Sequence, residues 1–259
     1  MPHLYETNYR NMLQNIAKTL FLIAIIFLVS CGSEKSKNNS TILAESDNQS
    51  IKDSAQSMPK NSFPQKDTIS IFPFKDEPDS AFVSLQAYPL GYKLDIRYAT
   101  TNNFTNTQLY ECADCLLRKE VSAALAKIAL ELKKKELGIV LFDCYRPLSV
   151  QQKMWAIVPN PVYVADPAKG SMHNRGNAVD LSLYTLKSGQ PLEMGTNYDY
   201  FGKEAHHAFT DLPKKVLENR TLLKSTMEKG GFKSITSEWW HYSYNKTVYP
   251  ISDFTIPCH

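Results

Sequence analysis

The run Ser171-Met172-His173-Asn174-Arg175-Gly176-Asn177-Ala178-Val179-Asp180 constrains this chain more than any other. It sets an imidazole and a carboxylate on either side of a glycine that lets the backbone turn. Far along the chain comes Glu238-Trp239-Trp240-His241, with a second carboxylate and a second imidazole. Two His, one Asp and a spare Glu make up a catalytic zinc site: three ligands, an open position for water, and a general base. Any fold this chain adopts must bring these two segments together.

Residues 177–184 alternate, with Val179, Leu181 and Leu183 on one side and Asp180, Ser182 and Tyr184 on the other. That period predicts a strand carrying Asp180 on a polar face opposite the core. A last strand is predicted over residues 239–244. Residues an odd number apart in a straight strand point to opposite faces. Glu238 therefore needs a bend or bulge before His241 if it is to reach a water at the same site. Trp239, Trp240 and Tyr242 are candidates for pocket walls or for plain core packing.

The scaffold is legible in outline. Val121, Leu125, Ile128 and Leu132 form one apolar stripe, which predicts a helix over residues 119–137 stopped by Gly138. The run 139–142 reads as a buried strand ended by Pro147. Arg146 stands at that junction, and by position alone it reads as a surface or salt-bridging arginine. Ser149 is placed to cap a helix reaching residue 157. A further helix is predicted over 212–229, stopped by Gly230-Gly231. Residues 94–98 alternate as a half-buried strand within a strand-like stretch, 82–98. Helices separated by strand segments indicate an α+β domain.

The chain has 259 residues, 43% of them hydrophobic, enough for a real core. A net charge of +3 without a basic stripe interleaved with aromatics gives no argument for a nucleic-acid partner, and none is expected. Residues 1–31 read as a signal peptide: Arg10 and Lys18 precede an apolar run, 20–29, too short for a comfortable membrane span. The run ends in Leu28-Val29-Ser30-Cys31-Gly32, which resembles a bacterial lipobox, so Cys31 is the expected lipidated residue. A plain membrane anchor with an incidental cysteine is the other reading. Residues 32–68 are polar and read as a flexible tether, leaving 69–259 as the folded domain. Export permits disulfides. Cys112 and Cys115 are expected as a local disulfide or two free thiols, and Cys144 with Cys258 as a possible bridge.

His173, Asp180 and His241 are the candidate ligands and Glu238 the candidate base. Two His and a carboxylate also describe the facial triad of non-haem iron oxygenases, but Glu238 would then have no task. A structural zinc would call for a fourth protein ligand, and none is evident. His206 and His207 diverge as neighbours, so neither is expected at a metal.

With these residues in view, the chain resembles the VanX-type D-alanyl-D-alanine dipeptidases, zinc D,D-peptidases that share their fold with Hedgehog signalling domains. The resemblance is carried by Arg97-Tyr98-Ala99-Thr100 with Asn103-Phe104, Tyr145-Arg146-Pro147, Ser171 through Asp180, Met194-Gly195-Thr196 with Asp199, and Glu238-Trp239-Trp240-His241. It implies a single α+β domain with a mostly antiparallel sheet and flanking helices. It also implies one Zn2+ per chain on His173, Asp180 and His241, with Glu238 as the catalytic base. Arg146 matches the arginine that stabilises the tetrahedral intermediate, which displaces the positional reading above. Asp199 matches the carboxylate that holds the substrate ammonium. Ser171 and Tyr98 match residues that contact the dipeptide.

The expected function is zinc-dependent hydrolysis of a small dipeptide, D-alanyl-D-alanine, by an exported protein held to a bacterial envelope membrane through its N-terminal lipid. A D,D-carboxypeptidase acting on peptidoglycan stems is the nearest alternative. A non-catalytic zinc module binding cell-wall fragments is the alternative of another class.

Overall fold

The centre of the molecule is strand β5 (Ala178–Thr185), which the alternation at 177–184 anticipated. In this computed structural model residues 72–258 are described; the expected signal peptide, Cys31 and the tether lie outside them. Strand β4 (Leu137–Asp143) lies antiparallel on one side of β5 and β7 (His241–Tyr244) on the other. A short β2 (Lys93–Leu94) runs parallel to β4, and β6 (Phe232–Ser234) closes the far edge beside β7. The five-stranded order is β2-β4-β5-β7-β6. A separate pair joins β1 (Phe82–Ser84) to β3 (Leu116–Arg118). With three α-helices among the described residues, this is the α+β architecture expected, its main sheet mostly antiparallel.

Helix α1 (Lys119–Lys133) buries Val121, Leu125, Ile128 and Leu132. It ends earlier than expected, through Glu136 in the left-handed region (φ 58°). Gly138 is not the stop. It lies inside β4 opposite Tyr184 of β5, whose ring fills the space a Cβ would take. Helix α2 (Leu148–Ile157) is not capped by Ser149. Its start is held instead by Asp253, whose carboxylate accepts from the Ser149 N–H at 2.8 Å. Helix α3 (Lys214–Lys229) begins after Pro213 and is followed by Gly231 at φ 92°.

Two expectations fail for instructive reasons. Residues 94–98 form only the end of β2 and then a 3-10 turn over Arg97–Ala99. The Asn103 amide bonds the carbonyls of Arg97, Thr100 and Thr107 and folds this stretch back on itself, overriding its alternation. The polar face of β5 is also covered: Asp180, Ser182 and Tyr184 are 3%, 4% and 6% exposed. Alternation marked two faces correctly, but both are interior.

The cysteines pair across the fold rather than locally, as Cys112–Cys258 and Cys115–Cys144. The backbone explains the second bridge. The Tyr145 N–H donates to the Leu116 carbonyl at 2.9 Å, setting the residues before each, Cys115 and Cys144, side by side.

Candidate active site

Two features of strand register assemble the site. Asp180 of β5 is the direct partner of His241 of β7, so both side chains leave the same face of the sheet. Phe142 is an extra residue in β4, a bulge that sets Asp143 opposite Asp180. Bulges re-aim side chains in this way. Without it, Asp143 would point to the other face. His173 joins them from a 3-10 turn, His173–Arg175, closed by Gly176 at φ 70°. A Cβ at Gly176 would strike the Phe82 ring and crowd Arg118. The Arg118 side chain bonds the Arg175 and Ser80 carbonyls at 2.9 and 2.7 Å and so pins this turn.

His173 Nε2 lies 3.1 Å from His241 Nδ1 and 3.3 Å from Asp180 Oδ1, and His241 Nδ1 lies 3.0 Å from Asp180 Oδ1. Ligands at ~2.0–2.1 Å from a tetrahedral zinc are separated by roughly 3.3 Å from one another, so the donor set fits that ion. Among the described residues it is the one group of three such side chains arranged to hold a metal. The ring orientations fit as well. The Cys144 carbonyl only accepts, so His173 Nδ1 carries the proton at 2.7 Å and leaves the Nε2 lone pair free. The other His241 nitrogen, Nε2, meets Ser243 Oγ at 2.9 Å.

Without a metal, the cluster is held by charge instead. Burial alone would raise the Asp180 pKa, but the His173 charge and hydrogen bonds from both imidazoles outweigh it and hold the carboxyl well below its usual range. Burial likewise lowers that of His173, and the Asp180 carboxylate more than reverses it.

Arg146 is buried on a fully enclosed Asp143. Its Nε and Nη2 donate to Asp143 Oδ2 at 3.1 and 2.6 Å, and Nη1 donates to Gln151 Oε1 at 2.8 Å. The other Asp143 oxygen accepts from Tyr110 Oη at 2.7 Å. Three of the five guanidinium donors are thus committed and two remain. The guanidinium keeps its charge despite burial because Asp143 lies against it.

A cavity of about 270 Å³ opens on this cluster, lined among others by Tyr98, Arg146, Ser171, Asp199, Glu238 and Trp240. That is just under the roughly 300–1,000 Å³ of sites for drug-sized ligands, a size for a small substrate. Glu238 lies in the bends before β7, so the odd spacing to His241 is no obstacle. Burial pushes its pKa up to about 7, with Asp180 adding to the rise and His241 and Arg146 opposing it. Asp199 sits at φ 59° and accepts from Tyr98 Oη at 3.0 Å. Burial, then the Asp180 charge, drives its pKa well above the usual carboxylate value. Among the described residues Asp199 has no ion-pair partner, so a cationic ligand would supply the missing charge. Ser171 donates through N and Oγ to Asn174 Oδ1 at 2.7 and 3.2 Å.

The family profile for peptidase M15, D-ala-D-ala dipeptidase, matches residues 79–258. The chain belongs to this dipeptidase family. A D-alanyl-D-alanine dipeptidase of Escherichia coli is 37% identical over 64% of this chain and 86% of its own length. Another, of Enterococcus faecalis, is 30% identical over 69% of this chain and 98% of its own. A solved D,D-pentapeptidase, VanY, in complex with Zn(II) aligns at 16% identity over 50% of this chain and 73% of its own, with a TM-score of 0.32, too low to argue from. As a member of the M15 dipeptidases the chain is a metallopeptidase, and one zinc per chain is the cofactor its family and its donor set agree on.

The candidate ligands His173, Asp180 and His241, with Glu238, Arg146, Asp199, Ser171 and Tyr98, all line this cavity. His206 and His207 do not; His207 packs against Tyr242, and burial lowers its pKa to about 4. Of the three aromatic wall candidates only Trp240 lines the cavity. Trp239 donates to Thr196 Oγ1 at 2.8 Å, and Tyr242 is wholly buried in the core. Sequence reasoning missed Asp143, Ser243 and Tyr198. The Asp143-x-x-Arg146 spacing was a usable signal for the first; Ser243, two along the strand from His241, for the second. Tyr198 had only its place beside Asp199.

Proposed function

We propose that this protein hydrolyses D-alanyl-D-alanine, with His173, Asp180 and His241 as zinc ligands and Glu238 as general base. The reading is carried by the meeting of that ligand set, Glu238 and Asp199, which has no ion-pair partner among the described residues, around one small cavity. Zinc, when bound, polarises a water and lowers its pKa to roughly 7. Glu238 takes the proton as the water attacks the peptide carbonyl, and then returns it to the leaving amine. Arg146 offers its two remaining N–H groups to the oxygen that becomes negative, and Asp143 fixes their direction beforehand. Asp199 receives the substrate ammonium, with Tyr98 holding its carboxylate. Ser171 contacts the dipeptide near its carboxylate.

Asp199 favours a dipeptidase over a carboxypeptidase. A longer or acylated peptide presents an amide where Asp199 rewards a cation, leaving that carboxylate buried without a counter-charge. The test is to compare D-Ala-D-Ala with its N-acylated form. Cleavage of the free dipeptide supports the reading, preference for the acylated peptide overturns it in favour of the carboxypeptidase, and turnover of neither favours the binding module.

The proposal extends to location: export, with lipid on Cys31 and residues 32–68 as the tether to the envelope membrane. It draws support from the apolar run and lipobox pattern and from two disulfides, which belong to oxidising compartments. Mass analysis of the mature N-terminus tests it, and an unmodified Cys31 in the cell-associated protein would end it.

A further inference from the structure

Tyr198 is absent from the reaction described above, yet it lies between its two essential carboxylates. Its Oη donates to Asp180 Oδ2 at 3.0 Å, the oxygen turned away from the imidazoles. On its other side it stands 3.4 Å from Tyr98 Oη, which donates to Asp199 Oδ2 at 3.0 Å. Each phenol thus gives its one hydrogen to a carboxylate, Tyr198 to Asp180 and Tyr98 to Asp199. The ring of Tyr198 has little freedom: it stacks on Phe142 with centroids 4.8 Å apart and meets Trp240 edge-on at 5.4 Å. The segments flanking it are held too. Arg220 and Asn219 of α3 bond the Met194 and Glu193 carbonyls at 2.7 and 2.9 Å, just upstream, and Arg220 also bonds the His206 carbonyl downstream.

We propose that Tyr198 is a positioning residue that engages Asp180 Oδ2, so that Asp180 would meet the metal through Oδ1 alone. The geometry favours this division. Oδ1 already lies 3.0–3.3 Å from both imidazole nitrogens. A second metal bond through Oδ2 would have to break the Tyr198 contact in a site where Asp180 is 3% exposed. Partners of metal ligands commonly change affinity by about 10–100-fold when removed. The inference rests on the zinc-ligand reading above and adds a residue that touches neither metal nor substrate.

Tyr198→Phe keeps the stacked ring and removes only the hydroxyl. Zinc affinity, measured by competition with a chromogenic chelator, should weaken about 10–100-fold, while the metal-free variant melts close to the metal-free wild type. Tyr98→Phe is the contrasting variant: it should raise KM for D-Ala-D-Ala and leave zinc affinity unchanged. Tyr198→Phe binding zinc as tightly as wild type would overturn the proposal, and so would equal zinc loss in Tyr98→Phe. Wild type that binds zinc without cleaving D-Ala-D-Ala would count against the substrate alone, since the affinity comparison needs no turnover. Wild type that fails to bind zinc removes both.

Discussion

Asp180 and His241 lie sixty-one residues apart in the chain and face each other across two neighbouring strands, Oδ1 to Nδ1 at 3.0 Å. A shift of one residue in that pairing would turn one of them to the opposite face. The metal centre is therefore a property of sheet register, and the register is fixed by a core in which Val179, Leu181 and Tyr242 are completely buried.

Glu238→Gln removes the base and keeps the shape. Turnover should fall by about 10²–10⁴-fold, with zinc content and melting temperature near wild type. Steady-state rates and metal analysis on one preparation check this. Retained turnover would remove Glu238 from the reaction.

Arg146→Lys keeps a positive charge and loses the fork that grips Asp143. A drop of roughly 10²–10³-fold in kcat is expected, comparable to loss of an oxyanion-hole donor, with little change in zinc affinity. Arg146→Ala should also destabilise the fold, because it strands Asp143, a fully buried carboxylate, without its cation.

Asp199→Asn should abolish the advantage of a free amino terminus. The ratio of kcat/KM for D-Ala-D-Ala over its N-acetyl form should collapse toward one, through the free dipeptide's loss. An unchanged ratio would mean that the ammonium is held elsewhere.

The metal-free protein should show an inverted pH dependence. His173 has a raised pKa in the fold, so its stabilisation is complete below the unfolded value of about 6.5 and is lost as pH rises through the folded value. Asp180 has a depressed pKa, so its stabilisation is present above about 3.9 and is lost as pH falls below that. In chelator, Tm should therefore decline from pH 6 to pH 8. Zinc needs the deprotonated imidazole, so the gap between zinc-loaded and metal-free Tm should widen over the same interval. Thermal scans with and without zinc read both trends.

The Cys115–Cys144 bridge backs the site, since the Cys144 carbonyl orients His173. Replacing both cysteines by serine removes a closure spanning 29 residues, a loss of about 3–4 kcal/mol by loop entropy. Denaturant unfolding measures that loss, and chelator competition should show weaker zinc binding.

The candidate ligands and Glu238 were readable because short motifs encode them: a glycine turn between His173 and Asp180, and a carboxylate just before a strand at His241. Helix α1 was readable from its apolar stripe, and α3 from the glycines that follow it. Contributions that depend on how distant segments meet were not. The Phe142 bulge that turns Asp143 inward, the Cys144 carbonyl beneath His173 and the disulfide pairing all arise from tertiary register. Residues 94–98 carried a strand-like period, yet Asn103 folds them into a turn, because three side-chain bonds to backbone carbonyls outweigh a weak local preference.

The most direct test of the whole account is a titration of zinc into metal-free protein while D-Ala-D-Ala hydrolysis is recorded. The account predicts a rate that climbs in proportion to added zinc and breaks at one equivalent per chain. A rate independent of zinc, or the absence of any rise through one equivalent, would contradict it.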